Sequence, residues 1–355
     1  TCPGLINLLQ QYNFTIEENA PNDVVVALDP ELLGKVFENL LASYNPETAE
    51  TARNATGSFY TPREIVHYMV NEMILDRLTT AHSNIPKEAL YDLIYGDECP
   101  AAIKPKQRAE LVKTLKQSKF LDPACGSGAF PMGILQCMLD ILKKLQVSPF
   151  EEDLEGANSA YATKLSIIEN CLYGVDIQPI AVQIAKLRCF ISLIIEEHPN
   201  ADKPNLGIPT LPNLETKFVC ADTLMPLSIN TSRKSMSLFD YYTRELNALK
   251  NELLSVRHDH FKASTYQDKT ALRNKDKEIR AKLTKLFENN KTTASDDIAL
   301  VTAWDPYDQN ASSKFFDPEW MFTVTGGFDG VIGNPPYIQL QANGGLLGER
   351  YRPCG

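Results

Sequence analysis

No apolar run in this chain approaches the roughly eighteen residues of a helical membrane span, so none is encoded and no membrane partner is expected. Cysteine is present without pattern: there are eight, and none has metal-ligand spacing. Cys125, Cys137, Cys171, Cys189 and Cys220 sit in apolar or motif segments, the usage expected of reduced core thiols in a cytoplasmic protein. The five histidines form no cluster, and His258 and His260 fall in a polar stretch, so no metal site is expected. The start, Thr1-Cys2-Pro3-Gly4, has neither a Met nor a basic-then-apolar leader, and we expect it to be the cut end of a longer polypeptide. No nuclease constellation stands out, and no internal repeat is evident.

Positive charge is also scarce. The net charge of −10 argues against broad phosphate binding, which needs Lys and Arg. Its distribution qualifies that reading. Residues 233–291 hold 14 Lys/Arg against 8 Asp/Glu, which leaves the rest of the chain at −16. Two readings fit this stretch: a local nucleic-acid contact through cations such as Lys275, Lys277 and Arg280, or a solvated helical surface. Apolar residues at 43% and charged residues at 23% are ordinary for a globular chain and carry no disorder signature.

What is present concentrates in a few motifs. Phe328-Asp329-Gly330-Val331-Ile332-Gly333 reads as a short buried strand, and Asn334-Pro335-Pro336-Tyr337 follows it. Neither proline has an N–H and both fix φ, so the carbonyls of Asn334 and Pro335 stay free as acceptors beside the Asn334 amide oxygen. Several acceptors next to the Tyr337 ring suit a planar group that bears an –NH₂. A proline-rich turn after an edge strand is the alternative. Lys119-Phe120-Leu121-Asp122 reads as a second strand, and Pro123 to Phe130 as a glycine turn. Ile134, Leu135, Met138, Leu139 and Leu142 then recur at helical spacing. Strand, glycine turn and helix form a nucleotide-binding unit. The third glycine of the dinucleotide fingerprint is missing, which disfavours nicotinamide and flavin. Leu172-Tyr173-Gly174-Val175-Asp176 is the next strand, ending in a carboxylate suited to two ribose hydroxyls. Lys217-Phe218-Val219-Cys220-Ala221 is another, ending in Asp222. Three such acids at one edge of a parallel sheet make a ligand crevice.

These residues resemble the N6-adenine DNA methyltransferases of the Eco57I-like restriction–modification type, which use S-adenosyl-L-methionine. The likeness runs from Leu28 onward through Gly57-Ser58-Phe59-Tyr60-Thr61-Pro62, Asp122-Pro123-Ala124-Cys125-Gly126-Ser127-Gly128, Tyr173-Gly174-Val175-Asp176, Ala221-Asp222 and Gly333-Asn334-Pro335-Pro336-Tyr337, with Ile338-Gln339-Leu340-Gln341 after them. The resemblance implies an α/β, Rossmann-like methyltransferase fold with a parallel-sheet core in strand order 3-2-1-4, strand 4 at the exposed edge. Tyr60, Thr61 and Pro62 would contact the methionine end of the cofactor. Asp122, Ala124 and Gly126 would form the turn beneath its amino acid and ribose, Asp176 would take the ribose hydroxyls, and Asp222 the cofactor's adenine. For Asp122 and Asp222, capping of a strand end is the alternative. Asn334, Pro335, Pro336 and Tyr337 would act on an adenine flipped out of double-stranded DNA, and sequence specificity would come from a recognition domain outside this chain, together with the later strands of the sheet. RNA and protein-amide methyltransferases share the proline motif, and a non-catalytic module built on the same cofactor fold is a further alternative. The oligomeric state is not legible.

The organisation expected is a helical preamble over 1–52, a cofactor-binding core over 53–230, a helical hairpin over 231–291, and a return to the core over 292–355. In the preamble a helix is expected from Asp29-Pro30. Thr61 is expected as the N-cap of the next helix, with Pro62 first inside, Glu64 at the capping-box position, and Ile65, Val66, Met69, Val70, Met73 and Ile74 as its buried stripe. Residues 80–118 read as a surface excursion. Leu238 to Val256 and Leu272 to Leu286 repeat at helical spacing, as in an antiparallel hairpin that projects from the sheet. Phe315, Phe316, Trp320 and Phe322 are expected in the core.

Overall fold

The computed structural model describes residues 13–15, 25–27, 61–145, 160–195, 211–226, 239–290, 300–308 without 302, and 312–335. Its strands are β1 (Asn13–Thr15), β2 (Val25–Ala27), β3 (Phe120–Asp122), β4 (Leu172–Asp176), β5 (Phe218–Cys220) and β6 (Gly330–Val331). β1 and β2 form a separate parallel pair inside the segment expected to be helical; Val25 and Val26 are β-branched and favour a pleated backbone. The helix expected from Asp29 lies outside the described residues.

The other strands make one parallel sheet in the order β5-β4-β3-β6, which is the expected 3-2-1-4. Its residues alternate between two cores, as the period of a strand requires. Phe120, Leu172 and Phe218 enter one core, while Leu121, Tyr173, Val175 and Val219 enter the other. β6 departs from the buried strand expected of it. It is a short edge, and Val331 is 60% exposed, because nothing among the described residues pairs with its outer side.

The first face is covered by α1 (Arg63–Ala81), α2 (Lys87–Tyr95), α3 (Pro105–Gln117), α4 (Ala129–Lys144), α5 (Ala160–Asn170) and α6 (Pro179–Ile194). The buried stripe of α1 is Val66, Val70, Ile74, Leu75 and Leu78, while Ile65 and Met69, expected within it, are exposed. The stripe turns toward Gly133 of α4, where an added Cβ would stand 2.7 Å from Val66 Cγ1. Residues 80–118 are no surface excursion. Leu90, Leu93, Leu111 and Leu115 are fully buried in the same core as Ile134 and Met138. Lys144 Nζ donates to the carbonyls of Leu93 and Ile94, both at 3.0 Å, satisfying acceptors that the end of α2 leaves open.

The second face is covered by the expected hairpin, α7 (Phe239–Lys262) and α8 (Tyr266–Asn290). It does not project. Leu253, Val256, Ile279 and Leu283 pack into one core with Tyr173, Val175, Val219, Phe315, Trp320 and Phe322. A parallel sheet needs both faces covered, and each large side chain removed from water there contributes about 1.5–3 kcal/mol. Within this layer Asp276 is wholly buried between Arg257, at 2.9 Å, and Arg280, at 2.5 Å. Arg257 also donates to the carbonyls of Trp320 and Met321, both at 2.9 Å, and Arg280 to that of Trp304. Arg280 is therefore an internal tie and no cation for an outside phosphate. α9 (Pro318–Phe322) then leads back toward β6.

Candidate functional site

Parallel strands bring three acids to one edge of the sheet, and all three close the same local turn. Asp122 Oδ1 accepts from the Ala124 N–H at 3.1 Å, Asp176 Oδ1 from the Gln178 N–H at 2.8 Å, and Asp222 Oδ1 from the Leu224 N–H at 3.2 Å. Such bonds to the amide two residues on are the local habit of Asp. Capping is thus part of what each acid does, and a carboxylate retains further lone pairs for a ligand.

The acids differ in their second oxygen. Asp176 Oδ2 accepts from the Gly126 N–H at 2.9 Å, tying β4 to the glycine turn. Burial raises the Asp176 pKa, opposed by the amides of Gln178, Gly126 and Ile177. Asp122 is 1% exposed, and its Oδ2 has no hydrogen-bond partner among the described residues. Burial pushes its carboxyl up to about 8; the Ala124 amide pulls against this, and the charge of Asp176 adds to it. A buried carboxyl oxygen without a partner is costly, and a cationic group placed there would relieve it.

Gly126 and Gly128 both have positive φ, 51° and 88°. At Gly128 a Cβ would meet Ala185 Cβ at 3.0 Å, so glycine lets α4 and α6 approach. At Gly126 a Cβ would meet nothing within 4 Å. That open side, next to the start of α4 with its free amides, is where a polar ligand fits. The turn is strapped from outside: Cys125 N–H donates to Val175 O at 2.8 Å, and buried Arg188 Nη1 to Ser127 O at 3.1 Å. Arg188 escaped the sequence reading. Its signal was a charge in step with the buried positions Ala181, Ile184 and Ala185.

The strand before the proline motif rests on this turn. Ile332 N–H donates to Leu121 O at 2.9 Å. Gly333 lies so close that a Cβ would be 2.8 Å from Asp122 Oδ1 and 3.3 Å from Pro123 Cδ. Asp329, also missed, holds the base of β6: it accepts from the Lys119 N–H at 2.9 Å and pairs with Arg77 at 2.8 Å. Asn334 Nδ2 donates to Thr61 Oγ1 at 3.1 Å, which leaves the amide oxygen as the acceptor end. Thr61 is not the expected helix cap. Pro62, with ψ 146°, takes that position, and its carbonyl accepts from Ile65 and Val66 N–H, both at 3.1 Å.

Thr61, Asp122, Ala124, Gly126, Asp176 and Asn334 are thereby linked by direct hydrogen bonds or packing. Asp222 joins through its neighbour Thr223, whose Oγ1 donates to Pro123 O at 3.2 Å. Pro335 is exposed beside them. Tyr60, Pro336 and Tyr337 lie outside the described residues. Among the described residues no three His, Cys, Asp or Glu side chains converge as metal ligands, and no helix is long and apolar enough to cross a membrane.

Residues 170–352 match the family described as Eco57I restriction-modification methylase. A putative type II restriction enzyme and methyltransferase of Methanocaldococcus jannaschii is 34% identical over 230 residues, covering 62% of this chain and 18% of that relative. The chain thus spans under a fifth of the length of the curated relative it matches.

Proposed function

The chain belongs to the Eco57I restriction-modification methylase family, and on that premise we propose that it carries the methyl-transfer centre of an N6-adenine DNA methyltransferase that uses S-adenosyl-L-methionine. That cofactor, when bound, supplies a methyl group on a sulfonium centre. The observation that carries the reading is the Asn334 amide, whose nitrogen is tied to Thr61 and whose oxygen is left to accept.

An adenine N6 amine is a poor nucleophile because its lone pair is delocalised into the ring. Hydrogen bonds from N6–H to Asn334 Oδ1 and to the Pro335 carbonyl favour a pyramidal nitrogen and stabilise the positive charge that develops on it. Alignment along the line of displacement supplies much of the rate. No strong base is required, since the N6 proton becomes acidic only after the methyl arrives. The cofactor's ammonium fits Asp122 Oδ2, the orphaned buried acceptor, and its ribose hydroxyls fit the remaining lone pairs of Asp176. Thr61 and Pro62, with Tyr60, would border its methionine end, Ala124 and Gly126 would lie beneath it, and Asp222 would reach its adenine. The target base would leave the duplex to reach Asn334 and stack on Tyr337, which contributes about 1–3 kcal/mol per base. DNA is the partner proposed, with its sequence read by parts of the polypeptide outside this chain.

The complete polypeptide, assayed with labelled cofactor on DNA, RNA and protein, separates this from RNA or protein-amide transfer. Asn334→Ala should keep cofactor affinity and lose methylation of DNA, because Asn334 touches the amine and not the cofactor. Asp176→Ala should do the reverse, weakening cofactor binding by about one to two decades through loss of a charged acceptor. Equal calorimetric affinities for wild type and Asp176→Ala would remove Asp176 from the site.

A further inference from the structure

We infer that Thr61 is a positioning residue for Asn334, one that selects which end of the Asn334 amide faces the target amine. The inference rests on the reading of Asn334 as acceptor and goes a step beyond it. The sequence gives Thr61 two plausible tasks, helix cap and cofactor contact, and the geometry points to another. No side chain caps α1, and the Thr61 hydroxyl instead accepts from Asn334 Nδ2 at 3.1 Å.

An asparagine amide is nearly symmetric in shape, but its two ends are opposite in hydrogen-bonding sense. With Nδ2 held by Thr61, Oδ1 points to the other side. In the reversed amide, an –NH₂ would face the target's own –NH₂, donor against donor, and the charge developing on the target nitrogen would be opposed rather than stabilised. The main chain leading into Asn334 has little freedom, since Ile332 N–H is bonded to Leu121 O and Gly333 lies against Asp122. The amide torsion is what remains to be set, and Thr61 sets it. This is how a residue holds a reacting partner near the geometry that transfer needs.

Thr61→Val is nearly isosteric and removes the hydroxyl; Thr61→Ser restores it. In the complete protein, the single-turnover transfer rate should fall about tenfold in Thr61→Val, the scale of one such bond, and recover in Thr61→Ser. Calorimetric affinity for the cofactor should fall by a smaller factor than the transfer rate does, since Thr61 also borders the methionine end and the larger loss belongs to the transfer step. A readout independent of activity is the Asn334 side-chain amide in a ¹⁵N spectrum, assigned by its loss in Asn334→Asp. One of its protons should exchange slowly in wild type and Thr61→Ser and rapidly in Thr61→Val. An unchanged Asn334 signal in Thr61→Val overturns the inference, as does an intact transfer rate with weakened cofactor binding, which would assign Thr61 to the cofactor alone. If wild type transfers methyl to no substrate, the reading of Asn334 fails, and the amide spectrum still decides whether Thr61 holds it.

Discussion

Gly333 seals Asp122 from water: a Cβ on Gly333 would stand 2.8 Å from Asp122 Oδ1, and the acid is 1% exposed. The strand that carries the proline motif therefore packs against the Oδ1 side of the carboxyl of the first sheet strand. This contact joins the two halves of the site. Burial, to which this contact adds, holds the acid well above its ordinary range.

That strain has a pH signature. The folded-state pKa of Asp122, about 8, lies above its ordinary 3.8, so the folded chain binds the extra proton between those values. Stability from this group is full below pH 3.8, falls as pH rises, and is gone above about 8. Asp122→Asn should flatten the decline in Tm between pH 5 and 8 relative to wild type. Cofactor binding should strengthen from pH 6 to 8 in wild type and release a proton, measured by calorimetry in two buffers of different ionisation enthalpy. A pH-independent wild-type affinity would show that no cation meets Asp122.

Asp276 should be among the most damaging single changes for the fold. Burial alone would raise its pKa, yet Arg257 and Arg280 hold it below the ordinary value. Its stabilising contribution is thus present above the ordinary carboxylate range and lost as pH falls through its lowered value. Asp276→Ala strands two buried guanidinium groups and should cost about 3–5 kcal/mol. At about 2.1 cal/mol/K per residue over 355 residues, each kcal/mol shifts Tm by about 1.3 °C, so Tm should drop by about 4–7 °C, read by a thermal melt. A drop under about two degrees would mean that solvent reaches the arginines.

DNA binding by this chain alone should be weak, indifferent to sequence and steeply salt-dependent. The exposed hairpin cations that can meet phosphate include Lys277 and Lys275, the latter also 3.4 Å from Glu252. Lys275→Glu with Lys277→Glu should weaken binding and reduce the slope of log affinity against log salt by about 1–2. Arg280→Glu should instead lower Tm, since Arg280 is bound to Asp276 and Trp304. Fluorescence anisotropy on several duplexes at two salt concentrations checks this. A sequence-selective, salt-insensitive affinity would place recognition inside this chain.

Local pattern was enough for the sheet and for the candidates at its edge. Strands ending in Asp122, Asp176 and Asp222 point to a parallel sheet with its acids together, and the resemblance to a known family supplied the order 3-2-1-4. What local pattern cannot carry is which surface covers which. The hairpin's apolar spacing is the same whether it projects or packs, and only the bare second face of the sheet drew Leu253 and Ile279 down onto Val175. Residues 80–118 are amphipathic in either place, and the core beneath α1 and α4 decided their burial. Thr61 reads as a cap from its neighbours alone. Its bond to Asn334, across 273 positions, exists because β6 lies beside β3, a pairing that no local rule contains.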